Sequence, residues 1–242
     1  MKNRGFPFLA VAAMTSLSAM AWAQGTQYPV TIIPIGRGPY TIPEGYQTPW
    51  DKIEIMVTEK ISPNLFVLHG SQGLDAAHPD ASGGRAMALF GPDGVLLVDS
   101  ENKQVAEKTL KTIRSFTDAP LKVLVNTHIH SDHTGGNAFF AGQGALIFSQ
   151  ENLREEMLRP PPGANGQPAP APEIAGVPVV TYSYNAAAPG APAVTINMNG
   201  ETVDFIPMMP SHTAGDTVVR FRKANTIYIE DFYRNFGYPF AD

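Results

Sequence analysis

Six consecutive residues, His128-Ile129-His130-Ser131-Asp132-His133, hold half of the chain's six histidines around one aspartate. They follow the apolar run Val123-Leu124-Val125 and lead into Thr134-Gly135-Gly136, a turn signal. In an extended segment residues two apart point the same way, so His128 and His130 can grip one ion together. The turn then aims Asp132 and His133 at a second position beside it. Imidazole nitrogen is a preferred ligand for zinc and similar borderline metals, and carboxylate oxygen completes such sites. A chain with this element has to end a strand in a ligand-bearing loop and bring the remaining ligands from distant segments.

A tetrahedral zinc in a catalytic site takes three protein ligands and keeps one place open. The remaining candidate is His212, within Pro210-Ser211-His212-Thr213-Ala214-Gly215-Asp216, on a loop between two expected strands. Ile227-Tyr228-Ile229-Glu230-Asp231 ends a strand with a carboxylate, a natural place for an oxygen that bridges two ions. Asp99, closing Val95-Leu96-Leu97-Val98, reads as an acceptor that orients a ligating histidine, in preference to a plain capping role. His69 and His78 have no ligand-spaced neighbour and read as structural or surface residues. Met208-Met209 and the aromatics Phe232, Tyr233, Phe236, Tyr238 and Phe240 read as packing or pocket lining.

The chain contains no cysteine, which excludes a disulfide framework, a Cys-based zinc finger and a thiolate nucleophile. Lys2 and Arg4, the mostly apolar stretch from Phe6 to Ala21, and Ala21-Trp22-Ala23 compose a signal peptide over residues 1–23. Thr15, Ser16 and Ser18 interrupt the apolar run, so export with cleavage is expected, without a stable membrane anchor afterwards. The protein is then periplasmic or secreted. Losing Lys2 and Arg4 moves the net charge from −5 to −7. That balance disfavours nucleic-acid partners; the partner expected of a catalytic metal site is a small-molecule substrate.

Residues 24–50 read as an extended arm, and 51–242 as one α/β domain. Strands are expected at 53–57, 65–68, 87–90, 95–98, 121–125 and 146–148, with helices at 102–116 and 151–158. Gly91-Pro92-Asp93-Gly94 reads as a hairpin turn. Nine prolines between 160 and 192 predict an exposed insertion, either a tolerated surface loop or a flap over the site. Strands follow at 194–197, 202–206, 217–221 and 226–229, with Asn199-Gly200 as a second hairpin turn.

Thr127-His-Ile-His-Ser-Asp-His-Thr-Gly-Gly136 resembles the T-H-x-H-x-D-H-x-G-G signature of the metallo-β-lactamase fold superfamily, and the resemblance runs in order through Asp99, His212 and Asp231. It implies an αβ/βα four-layer sandwich of two mixed β-sheets flanked by helices. It implies that His128, His130 and His212 bind a first zinc, that Asp132 and His133 bind a second, and that Asp231 bridges them. The implied activity is attack of a metal-bound hydroxide on an ester, thioester, lactone or amide, with Asp132 orienting the nucleophile and moving its proton. Family members usually continue beyond the equivalent of Asp242 to a further histidine of the second site. The expectation is therefore a truncated chain, with an incomplete second half and a weakened second metal site. The competing readings are a subclass B3-like β-lactamase and, from another class, a non-catalytic metal-binding protein or fragment.

Overall fold

Alternating and continuous apolar runs set the strands of this chain, and turn residues set their order. The structure is a computed structural model that describes residues 47–70, 84–160, 162, 167, 168, 171 and 173–232. The first sheet contains β1 (Ile55–Ser62), β2 (Leu65–Gly70), β3 (Arg85–Gly91), β4 (Gly94–Val98), β5 (Leu121–Val125), β6 (Leu146–Gln150) and β7 (Val180–Tyr182), side by side in that order. The pairs are antiparallel as far as β4 and parallel from β4 to β7. Parallel neighbours need crossovers, and helices supply them: α1 (Ala106–Arg114) between β4 and β5, α2 (Ser131–Thr134) and α3 (Asn137–Gly142) between β5 and β6, and α4 (Glu151–Leu158) between β6 and β7.

The second sheet, β8 (Val194–Met198), β9 (Glu201–Pro207), β10 (Thr217–Phe221) and β11 (Thr226–Tyr228), is antiparallel across its four strands. Asn199 and Gly200 join β8 to β9 with both φ angles positive, 54° and 77°, the backbone that a two-residue hairpin turn demands. One face of the first sheet packs Leu97, Leu124 and Ile147 against Ala106, Ile113 and Phe140 of the helices. The other packs Leu96, Val98 and Val125 against Val203, Phe205, Val219 and Phe221 of the second sheet. Burial on both faces explains why β4, and β5 from Val123 onwards, read as continuous apolar runs instead of alternating ones. The result is the α/β sandwich expected from the sequence.

Some elements differ from the sequence reading. The first strand runs Ile55–Ser62, and the expected helix at 102–116 is a 3-10 turn, Lys103–Val105, followed by α1. The loop expected after His130 coils at once into α2, because Thr134 donates its hydroxyl to the carbonyls of Ile129 and His130. The proline-rich stretch contains β7, which adds to β6 and anchors Tyr182 Oη to Thr217 Oγ1 at 3.0 Å. That strand exists through its pairing, and three residues after Pro178 carry no periodicity to announce it. The signal peptide, most of the arm, His78 and the aromatic residues after Phe232 lie outside the described residues. His69 is the penultimate residue of β2, buried, with Nδ1 2.8 Å from the Gly70 carbonyl.

On the outer face of the second sheet, Asp204 of β9 takes paired bonds from Arg220 and Arg222 at 2.7–2.9 Å and one from Thr195 at 2.8 Å. It is covered by these half-exposed groups themselves, not by the interior of the sandwich. Burial works to raise its pKa, but the two guanidinium groups outweigh that and bring it down to about 2. A carboxyl depressed in the folded state stabilises fully above its unfolded value, near 3.9, and the contribution is lost as pH falls towards 2. Between those limits the wild type should lose about 1 kcal/mol more than Asp204→Asn, a figure kept small because water screens both arginines. Urea unfolding of both proteins at pH 5, 3 and 2 checks this.

Candidate metal centre

Every chemically notable residue sits at the carboxyl end of a strand. Asp99 follows β4, the histidine cluster follows β5, His212 lies between β9 and β10, and Asp231 follows β11. These termini share one edge of the sandwich, so four chain segments distant in sequence deliver their side chains to one place.

His128, His130, His212 and Asp231 each offer a donor atom, and those atoms lie within 4.8 Å of one another. His212 Nε2 is 3.2 Å from His130 Nδ1 and 3.4 Å from Asp231 Oδ2, and His128 Nε2 is 4.0 Å from that oxygen. The other carboxylate oxygen, Oδ1, faces His133 Nε2 at 3.8 Å, while Asp132 Oδ2 lies 3.5 Å from the same nitrogen. Asp231 therefore straddles two groups of donors, one centred on His128, His130 and His212 and the other on Asp132 and His133. All six residues named from the sequence come together.

The far sides of two rings are tied down. His133 Nδ1 meets Asp99 Oδ2 at 2.9 Å, and His128 Nδ1 meets Thr127 Oγ1 at 3.1 Å. Thr127 donates its hydroxyl to Asp99 Oδ2 at 2.7 Å and its backbone N–H to Asp99 Oδ1 at 2.7 Å. Asp99 thus orients His133 directly and His128 through Thr127, from a left-handed backbone at φ 58° that places the carboxylate beneath both. Burial pushes the Asp99 carboxyl up, and facing His133 and Thr127 counters it. Burial also works to lower His133, but Asp99 and Asp132 outweigh it and hold that imidazole well above its ordinary range. With three donors converging on Asp99, the shared proton rests on His133 Nδ1. His128 is driven far below the ordinary range by burial and by the imidazoles beside it, so its ring is neutral. Asp132, opposed by its own burial, is nevertheless kept below the usual carboxylate range by the His133 imidazole 3.5 Å away.

These residues fit a metal. The Nε2 atoms of His128 and His133 are buried without a hydrogen-bond partner, although each ring is fixed through Nδ1. An orphaned polar atom in the interior is costly, and a cation between these nitrogens and carboxylates is the group that satisfies it. Neutral imidazole and carboxylate form the donor set of zinc.

Several contributors were not singled out in the sequence. Asp216, buried, accepts from Ser211 N and Oγ, His212 N, and Thr213 N and Oγ1 at 2.6–3.2 Å, and so shapes the loop that presents His212. An aspartate closing a short Ser-His-Thr turn is a signal of that role. Thr127 donates as described and also accepts Thr217 N at its carbonyl, at 2.7 Å, joining the two sheets beneath the site. Gln150 bonds the carbonyls of Met208 and Asp216 at 3.0 and 2.8 Å across the same seam. Gly84 is the least visible of them. A Cβ there would lie 2.6 Å from the Asp132 carbonyl and 2.9 Å from His133 Nε2. Gly84→Ala should weaken zinc binding on the His133 side by about tenfold, with an overpacking cost of about 1–3 kcal/mol in the metal-free protein. Zinc titration beside thermal unfolding separates the two effects, and unaltered affinity would remove His133 from the ligand set.

Residues 80–228 match the family model described as the metallo-beta-lactamase superfamily. Among curated relatives, a linear primary-alkylsulfatase from a Pseudomonas species is 31% identical over 74 residues, covering 28% of this chain and 14% of the relative. The alpha subunit of a 2,4-dinitroanisole O-demethylase from a Nocardioides species is 27% identical over 149 residues, covering 61% of this chain and 40% of the relative. This chain thus spans less than half the length of either. Among solved structures, a Cronobacter sakazakii metallo-β-lactamase with a HARLDQ motif superimposes with a TM-score of 0.53 at 22% identity, covering 75% of this chain and 64% of that one. A Pontibacter korlensis metallo-β-lactamase gives a TM-score of 0.50 at 20% identity, covering 71% and 68%. At such identities these structures share the fold.

Proposed function

The chain belongs to the metallo-β-lactamase superfamily, and from that premise we propose that it is a zinc-dependent hydrolase that cleaves an ester, thioester, lactone or amide of a small molecule. The observation that supports this most is Asp231 set between two donor groups, its Oδ2 3.4 Å from His212 Nε2 and its Oδ1 3.8 Å from His133 Nε2. His128, His130 and His212 would hold one zinc, Asp132 and His133 a second, and Asp231 would touch both. When bound, zinc supplies Lewis acidity and lowers the pKa of a coordinated water from about 15.7 to about 7, against about 9 for the aqueous ion.

The chain's own residues do the rest. Asp99 and Thr127 tie down Nδ1 of His133 and His128, which turns both Nε2 atoms towards the centre. Asp132 is partly open to solvent on the same side, and its carboxylate takes the proton from the attacking water and returns it to the leaving group. Asp216 keeps the His212 loop in place before substrate arrives, so little ordering remains to be done during the reaction.

Chelation should abolish turnover and added zinc restore it, read on a panel of thioester, lactone and ester substrates and nitrocefin. The names of the curated relatives add a primary alkyl sulfate and 2,4-dinitroanisole to that panel. Nitrocefin cleavage alone would favour the subclass B3-like β-lactamase reading, and zinc uptake with no turnover on any substrate would favour a metal-binding protein without catalysis.

A further inference from the structure

The backbone carbonyl of His133 has an unusual share of donors. Ser100 N reaches it at 2.9 Å and Asn126 Nδ2 at 3.0 Å, and Ser100 Oγ, 3.1 Å away, shares its one proton between this carbonyl and Asn137 Oδ1. It belongs to α2, a helix of four residues, and the last carbonyls of a helix have no partner within it. Here a buried amide cluster supplies those partners. Asn137, at the start of α3, stands at its centre. Its Oδ1 accepts from Ser100 Oγ at 2.9 Å and Asn126 Nδ2 at 3.0 Å, and its Nδ2 donates to Asn126 Oδ1 at 2.8 Å. The fourth bond leaves the cluster and runs from Nδ2 to the Gly176 carbonyl at 3.0 Å.

Gly176 ends a 3-10 turn, Ile174–Gly176, inside the proline-rich insertion. That part of the insertion is docked, not loose. Lys103 pairs with Glu173 at 2.7 Å, Arg154 donates to the Pro178 carbonyl, and Val179 N bonds the Ile147 carbonyl at 3.1 Å. A Cβ at Gly176 would stand 3.0 Å from Ala138 N and 3.2 Å from Asn137 Cβ, so the turn lies directly against α3. The side chains of Ser100, Asn126 and Asn137 are buried and bonded to one another, to the His133 carbonyl and to Gly176, which makes the cluster stiff.

We infer that Asn137 is a positioning residue that couples the docked turn of the insertion to His133, so that Gly176 sets the angle at which His133 presents Nε2. The inference rests on the proposed role of His133 as a metal ligand. The insertion then has a purpose in the site, because its turn braces the ligand loop from behind, through one amide.

The test uses the full chain loaded with cobalt(II), comparing wild type with Asn137→Ala and Gly176→Val. Three quantities are read: the visible cobalt spectrum, zinc affinity by competition with a chromophoric chelator, and the melting temperature of the metal-free protein. Both variants should lose about tenfold in affinity for the more weakly held ion and change the cobalt spectrum. Gly176→Val keeps Ser100, Asn126 and Asn137 themselves and only presses the turn against α3, so it decides the matter if Asn137→Ala does not fold. Lower melting temperatures with wild-type affinity and spectrum would show a purely structural role and overturn the inference. Wild-type protein that takes up no metal would overturn the metal site itself, a result distinguishable because it does not depend on either variant.

Discussion

Replacing His128 and His130 together by alanine should eliminate zinc from the protein and reduce hydrolysis by more than about a thousandfold, since removing even one charge-stabilising donor from such a centre costs about 100- to 1,000-fold. The two residues provide half of the donor set that lies within 4.8 Å. Elemental analysis of the purified variant and turnover on the best substrate of the panel are the measurements. The effect on stability should go the other way. His128 Nε2 is a buried atom without a hydrogen bond, kept in place by Thr127 on the opposite side of the ring. The metal-free double variant should therefore melt no lower than the metal-free wild type, while the rise in melting temperature that zinc gives the wild type disappears. Turnover equal to wild type would dismiss the metal assignment. A collapse of the metal-free fold would show that the imidazoles do structural work.

Asp99→Ala should have the next largest effect, on stability and on metal together. Its carboxylate, with no exposed surface, receives Thr127 N, Thr127 Oγ1 and His133 Nδ1, all within 2.9 Å. Removing it leaves a buried imidazole without its partner, a loss of about 3–5 kcal/mol by comparison with other broken buried pairs. Urea unfolding of the metal-free protein reads this. Zinc affinity should fall about 10- to 100-fold as His133 and the Thr127–His128 pair lose their orientation. Asp99→Asn distinguishes the two contributions: it retains an acceptor for Thr127 but removes the charge facing His133, so it should regain part of the stability and less of the affinity.

The sequence was most informative where chemistry and periodicity coincide. Val123-Leu124-Val125 followed by the histidines marked both a strand and its functional end, and β5 stops at Val125. Gly91-Pro92-Asp93-Gly94 and Asn199-Gly200 marked hairpins that the structure contains, because such turns need positive φ and these residues tolerate it. Asp99 could be picked out because a carboxylate at the end of an apolar strand has few uses. What escaped depends on contacts between distant segments. β7 is a strand only because β6 offers an edge, and Gly84 matters only because His133 lies against it. Asn126, Asn137 and Ser100 look like ordinary polar residues in one dimension. Their role appears once α2 is seen to end on a carbonyl that needs donors.

The seam formed by Thr217 N on Thr127 O, with Gln150 reaching Met208 and Asp216, has a consequence for how such a protein would lose its ion. Of the four donors within 4.8 Å, His128 and His130 come from the first sheet and His212 and Asp231 from the second, so prising the two layers apart opens the cage at the same moment. Departure of the ion would then report separation of the layers, and a captured ion would act as a rivet that fastens one to the other.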